Sequence, residues 1–191
     1  MSLPDDFRIL RIQTPEEAQP YLDSFAEAYQ TIFSAPPYYE SFTAKEAKTV
    51  FIKQVSIESS VNLLAISEDG AVIGFGFAIP VEHRSDIAQH LRGLIPIKHS
   101  FYFSELGVLP AWRRRGIGRL LTKGRLNLID SSRYSQVLLR TAEIPDASYQ
   151  MYQALGFEDM GVYIEVSSRR TDGTTSTDRR LFLSRLLHPP E

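Results

Sequence analysis

Hydrophobic and polar positions change period several times along the chain, and each change marks an element. Between Phe7 and Ile12, Phe7, Ile9 and Leu10 alternate with Arg8 and Arg11, a strand pattern closed by Thr14-Pro15. Thr14 suits a helix N-cap, Pro15 the first helical position and Glu16-Glu17 the positive end of the helix dipole. The spacing of Tyr21, Leu22, Phe25, Tyr29 and Phe33 then predicts one helix from Pro15 towards Phe33. Ala35-Pro36-Pro37-Tyr38-Tyr39-Glu40 breaks it, since proline has no N–H for the helical ladder, and Thr43 with Glu46 is the capping-box signature of a second helix.

After Ser59-Ser60 the period shortens. Val61 to Ile66 and Val72 to Ile79 are apolar runs joined by the turn residues Glu68-Asp69-Gly70, which predicts a hairpin. Val81 to Ser100 reads as a helical excursion limited by Gly93 and Pro96, and Phe101 to Leu109 as a long central strand. Gly116 to Asp130 is the clearest amphipathic helix. Ile117, Leu120, Leu121, Gly124 and Leu128 form its stripe, with Arg119, Lys123 and Asn127 off it and Leu126 on the opposite side, unexplained. Val137 to Ala142 predicts a strand, Asp146 to Leu155 a helix ended by Gly156, and Val162 to Arg169 and Arg180 to Leu187 two final strands. This order of elements is that of an α/β protein.

Composition narrows the class. The 191 residues include 43% hydrophobic side chains and no cysteine, so the chain can bury a core without disulfides and has no thiolate nucleophile, redox pair or Cys-ligated metal. Residues 1–191 read as one domain, with only the short polar run Thr171 to Asp178 standing out. A net charge of −2 argues against a nucleic-acid binder. No stretch approaches the roughly 20 apolar residues of a membrane span, and Met1 to Asp6 has no basic and apolar leader, so a cytoplasmic protein is expected. His83, His90, His99 and His188 show no metal-binding spacing, and Ser104 lacks the Gly-x-Ser-x-Gly elbow.

Chemistry concentrates at Val108-Leu109-Pro110-Ala111-Trp112-Arg113-Arg114-Arg115-Gly116-Ile117-Gly118, where a strand passes through a loop into the amphipathic helix. The first N–H groups of a helix lack internal partners and sit at its positive end, and glycines let an anion approach. A solvated basic run with packing glycines is the plainer reading. A P-loop is excluded by register, because Lys123 is followed by Gly124 and preceded by no suitably placed glycine. A dinucleotide fingerprint fits poorly, with Leu121 in place of its third glycine and Leu139-Arg140 in place of its acidic residue.

Arg113-x-x-Gly116-x-Gly118, placed after a hydrophobic strand and Val108-x-Pro110, resembles the pyrophosphate loop of the GNAT superfamily of acetyl-coenzyme A dependent N-acetyltransferases. Tyr152-Gln153-Ala154-Leu155-Gly156-Phe157 resembles that family's Tyr-x-x-x-Gly-Phe ending, and the order of elements agrees from Phe7 to Leu187. The resemblance implies a three-layer α/β fold. Its central sheet would be mixed and mostly antiparallel, twisted, of six or seven strands flanked by helices, with a splayed parallel pair formed by the strands at Phe101 to Leu109 and Val137 to Ala142. Gly107 suits the bulge expected in the first of these.

The same resemblance implies acetyl-CoA as cosubstrate and a primary amine, small molecule or peptide, as acceptor; no nucleic acid or membrane is implied, and a homodimer is compatible. Leu106 and Val108 would bond the pantetheine arm by their backbones, and Arg113, Arg114, Arg115, Gly116, Ile117, Gly118 and Arg119 would form the pyrophosphate site. Arg119 or Lys123 either reaches the nucleotide phosphates or is simply solvated. Tyr152 would protonate the leaving thiolate, the alternative being a half-buried core tyrosine. Glu105 is the first candidate for the base, because a carboxylate in an apolar strand is expensive without a task, and a structural carboxylate is the alternative; Glu143 and His99 are reserves. Tyr38, Tyr39 and Glu40 are candidates for the amine site, through cation–π faces and an ammonium partner. The segment Glu143-Ile144-Pro145-Asp146-Ala147-Ser148 departs from the family by lacking an asparagine, whose place Asp146 or Ser148 would take.

Overall fold

The computed structural model describes residues 6–143 and 146–188. The N-terminal reading therefore lies, apart from Asp6, outside the described residues, as do Ile144 and Pro145. In chain order the elements are β1 (Phe7–Ile12), α1 (Pro15–Ala18), α2 (Leu22–Ser34), α3 (Ala44–Val55), β2 (Val61–Ser67), β3 (Val72–Pro80), α4 (Ser85–His90), β4 (Ser100–Val108), α5 (Ile117–Leu128), β5 (Gln136–Ala142), α6 (Ala147–Ala154), β6 (Glu158–Arg169) and β7 (Thr175–Leu186).

Thr14 and Thr43 cap as expected. Thr14 Oγ1 accepts from the Glu17 N–H at 3.2 Å, and the Thr43–Glu46 capping box is complete. The predicted helix from Pro15 to Phe33 is interrupted. Pro20 sits in a 3₁₀ turn over Gln19–Tyr21 that separates α1 from α2, because an interior proline withdraws one ladder donor and crowds the preceding turn. Both final strands are longer than predicted. The polar residues from Thr175 to Asp178 pair as an outer hairpin, where alternation is polar on both faces and leaves no hydrophobic signal.

The seven strands form one mixed sheet in the order β1-β2-β3-β4-β5-β7-β6, in which β4 and β5 are the parallel pair. Alternating residues of β2 assign the two faces. Leu64 and Ile66 pack with Phe25, Ile32 and Phe51 of α2 and α3, whereas Leu63 and Ala65 pack with Ile117 and Leu121 of α5. Farther along the sheet, α4 covers Tyr102, Leu138 and Phe182, and α6 covers Phe103, Val137, Leu139 and Leu183 on the opposite face. The result is three layers, helix–sheet–helix. Among the described residues no helix is long and apolar enough to cross a membrane.

The stripe on α5 is rotated from its predicted position. Leu128 is 38% exposed, Leu126 packs into the α6-side core, and Arg125 is fully buried. The 117-121-125 spacing points the arginine inward, and Gly76 of β3 makes the room, since a Cβ there would lie 3.0 Å from Arg125 Nε.

Candidate active site

Strands β4 and β5 pair only from Ser100↔Gln136 to Phe103↔Leu139 and then part, leaving a gap beyond those last rungs. The bulge in β4 lies at Ser104 and not, as expected, at Gly107. Phe77 pairs with Glu105 while Ala78 pairs with Phe103, so Ser104 is the extra residue. Gly107 serves close packing instead: a Cβ there would fall 2.7 Å from Phe75 Cζ and 3.1 Å from Ile32 Cδ1.

This one-residue shift decides which face Glu105 occupies. Phe101 and Phe103 face α6, and an unbroken alternation would send Glu105 the same way. The bulge turns it to the α2 side, where Tyr29 Oη donates to Glu105 Oε2 at a long 3.5 Å. Burial there pushes its carboxyl up to about 7, against the opposing pull of Arg84 and Arg140. Burial and the neighbouring carboxylate likewise push the Tyr29 hydroxyl well above the usual tyrosine range.

A cleft of about 1290 Å³ opens here, walled by Tyr29, Tyr38, Tyr39, Glu40, Ser104, Glu105, Leu106 and Tyr152, with Arg84 and Arg140 between them. Tyr152 is 6% exposed and packs edge-on against Phe157, their centroids 5.4 Å apart. Burial raises its pKa, and the Arg125 guanidinium beside it opposes the shift only in part, so the hydroxyl keeps its proton at neutral pH. Arg125 itself lies over the Phe103 ring, 3.9 Å from the centroid, and burial pulls it down to about 10.

Of the predicted amine-site residues, Tyr38 and Tyr39 both line the cleft; burial raises the Tyr38 hydroxyl, and Tyr39 is 51% exposed. Glu40 already has a cationic neighbour, Arg180 Nη2, 3.7 Å away, which in turn lies 3.5 Å from Asp178. The reserve bases differ. Glu143 lies on the cleft wall in an ion pair with Arg179 at 3.2 Å, but His99 is exposed outside that wall, with Nδ1 on the Arg133 carbonyl. Asp146 caps α6 by accepting from the Tyr149 N–H at 2.9 Å, and Ser148 borders the cleft.

The basic turn lies beyond this wall, at the end of β4. Gly116 is the left-handed N-cap of α5 (φ +79°), and a Cβ on it would meet nothing within 4 Å. Among the described residues the backbone N–H groups from Arg114 to Arg119 have no acceptor, and the first helical bond runs from the Leu120 N–H to Gly116 O. Arg113 Nε donates to Val108 O at 3.2 Å, and Arg115 pairs with Asp6 at 2.6 Å while covering Trp112. Arg114 (φ +63°) and Arg119 are exposed.

Leu109 donates its N–H to Ile73 O at 2.9 Å. Backbone polar groups alternate edges along a strand, so those of Leu106 and Val108 face the gap. The free amides and the open glycine thus stand at the end of the strand whose unpaired edge leads back to the cleft, an arrangement suited to a diphosphate followed by an amide-bearing arm.

Arg84, Arg125, Arg140, Tyr29 and Ser104 were not among the sequence candidates. Arg140 carried the same signal as Glu105, a charge within an apolar strand, and Arg125 stood in helical register with Ile117 and Leu121. Ser104 had no signal, because nothing in its neighbours marks the bulge.

A family model described as an acetyltransferase (GNAT) domain matches residues 59–159. No curated protein sequence matches the chain. Solved structures similar to it include a GNAT superfamily phosphinothricin acetyltransferase from Sinorhizobium meliloti in complex with AcCoA, at 19% identity and a TM-score of 0.67 over 96% of this chain and 94% of that one. The ribosomal-protein-S18-alanine N-acetyltransferase from Escherichia coli is similar at 14% identity and a TM-score of 0.64, covering 97% and 96% of the two chains. An N-acetyltransferase from Staphylococcus aureus Mu50 gives 15% identity and a TM-score of 0.65, covering 95% and 99%. With a model match over more than half its length and the splayed parallel pair in place, the chain belongs to the GNAT acetyltransferase family.

Proposed function

We propose that this protein is a cytoplasmic, single-domain N-acetyltransferase that moves the acetyl group of acetyl-CoA directly to a primary amine. The observation that carries the proposal is the junction of an anion-binding helix start with a strand gap that ends at a carboxyl of raised pKa. The N–H groups from Arg114 to Arg119 hold the diphosphate, and the gap-facing backbone of Leu106 and Val108 bonds the pantetheine amides.

Glu105, facing the cleft from the bulge, takes a proton from the incoming ammonium directly or through one water. The neutral amine attacks the thioester carbonyl, and the Val108 N–H supports the charge that develops on oxygen. As the C–S bond breaks and the amide forms, Tyr152 gives its proton to the departing thiolate and is reprotonated by the proton that the attacking nitrogen loses, passed directly or through water, while Glu105 releases its proton to solvent. Arg125, beside the Tyr152 hydroxyl, favours the transient phenolate.

A panel of primary amines assayed for acetyl-CoA-dependent thiol release tests the reading, with acetylated product identified by mass spectrometry. Amine-dependent release is expected. Saturable acetyl-CoA binding without release for any amine would instead identify a non-catalytic acyl-CoA binding module.

A further inference from the structure

Six arginines line the cleft, and five have their donors engaged. Arg84 grips Asp86 through Nε and Nη2, both at 3.0 Å; Arg170 pairs with Asp178, Arg179 with Glu143, and Arg180 lies between Glu40 and Asp178. Arg125 bonds backbone carbonyls and Thr122 in the core. Arg140 differs: among the described residues no carboxylate lies within ion-pair distance of it, its side chain bonds only the Tyr102 hydroxyl, and its guanidinium stands 6.0 Å from the centroid of the Tyr102 ring. A half-buried arginine on a cleft wall, with Glu105 near enough to feel its charge but no carboxylate in contact with it, is the complement of an anionic group on a ligand.

Its position sets the distance at which that anion is read. Leu139 is the last β5 residue paired to β4, and Arg140 is the next. Leu138 and Arg140 share the face that packs towards α4, the face to which the Ser104 bulge also turns Glu105. The two side chains therefore flank the mouth of the gap from adjacent strands, near enough for the charge of Arg140 to act on Glu105. A ligand that carries a cationic and an anionic group near one another can meet both.

We propose that the acceptor is a free amino acid, or a close analogue, whose carboxylate is received by Arg140 while its amine is presented to Glu105. The proposal rests on the acetyltransferase reading above. Polyamines, which carry no anion, and lysine side chains within proteins, whose nearest backbone carboxyl is an amide, both leave Arg140 unpaired and are disfavoured. Arginine rather than lysine fits the task because its planar fork meets both carboxylate oxygens at once.

The test compares free α-amino acids with their carboxamides, identical in side chain and differing in the charge at the carboxyl position. The amide's amine is the less basic and so more often neutral, so a preference for the acid cannot come from amine ionisation. The parent enzyme is expected to favour the acids in kcat/KM by at least about tenfold, the worth of one charge-assisted contact. Arg140→Gln should abolish most of that preference by raising KM for the acid, with KM for the carboxamide and acetyl-CoA binding little changed; Arg140→Lys should retain part of it. Carboxamides or diamines acetylated as well as the acids, or an Arg140→Gln loss equal for both, would overturn the proposal while leaving acetyl transfer intact. Thiol release with no amine at all would overturn both readings.

Discussion

Arg125 Nη1 lies 3.1 Å from the carbonyl oxygen of Glu105, holding from the α5 side the backbone of the residue whose carboxyl opens on the other face of the sheet. The same nitrogen donates to Phe77 O at 3.0 Å, across the irregular register on β3. One guanidinium thus ties both strands at the bulge. Arg125→Met withdraws the donor from two carbonyls, and it is expected to lower unfolding stability by about 2–6 kcal/mol, at roughly 1–3 kcal/mol per group left unsatisfied. Denaturant unfolding measures this, and an unchanged midpoint and slope would remove Arg125 from that role.

Glu105→Gln should lower kcat by about a hundredfold or more, within the range a general base supplies. With a carboxyl near 7, only the deprotonated form accepts the amine's proton, so parent kcat should rise through pH 7 and level off above it. The stability effect has the opposite sign. A carboxyl raised in the folded state holds its proton more tightly there than in the unfolded chain, so its contribution is present at low pH and is lost as pH rises from the ordinary carboxylate range through about 7. The glutamine variant should therefore lack the acid limb in kcat and match or exceed the parent's stability at pH 8. A retained acid limb would place the base elsewhere, with Glu143 the next residue to test.

Tyr152→Phe is expected to reduce kcat by about tenfold or more while acetyl-CoA affinity stays within a factor of about two. The buried hydroxyl, raised above the ordinary tyrosine value, should produce no alkaline loss of its own near pH 9. Equal turnover in the phenylalanine variant would leave Tyr152 a packing residue against Phe157.

At Gly116 the constraint is conformational and not steric, because a Cβ meets open space but φ is +79°. Gly116→Val places a β-branched residue in the left-handed region at a cost of about 1–3 kcal/mol and should misdirect the free amides. Gly116→Asn, which tolerates that region, should retain most acetyl-CoA affinity. Equal affinities in the two variants would dissociate the loop conformation from binding.

Much of this arrangement was legible in the chain. Periodicity located the hairpin, the central strand and α5, and cap chemistry at Thr14 and Thr43 fixed helix starts to the residue. The Arg113-x-x-Gly116-x-Gly118 turn and Glu105 were visible because each breaks a local rule, as an arginine run at a helix start and as a carboxylate in an apolar strand. Pro20 was hidden within an otherwise regular helical spacing. Glycine is the usual sign of a bulge, which makes Gly107 suitable; the structure instead uses Ser104, and Gly107 makes room for Phe75 and Ile32. Arg125 and Arg140 acquire meaning only from what faces them. Gly76 admits the first, and the parting of β4 and β5 leaves the second on the cleft wall, both consequences of tertiary contacts between segments distant in sequence.

Calorimetric titration of acetyl-CoA into the folded protein, repeated with Gly116→Val, tests most directly whether the free amides at the start of α5 and the gap beside β4 form an acyl-CoA site. Saturable binding of one molecule per chain, weakened at least about tenfold by the valine substitution, is the expected result. The absence of binding heat across several temperatures, with the protein folded by circular dichroism, would contradict it.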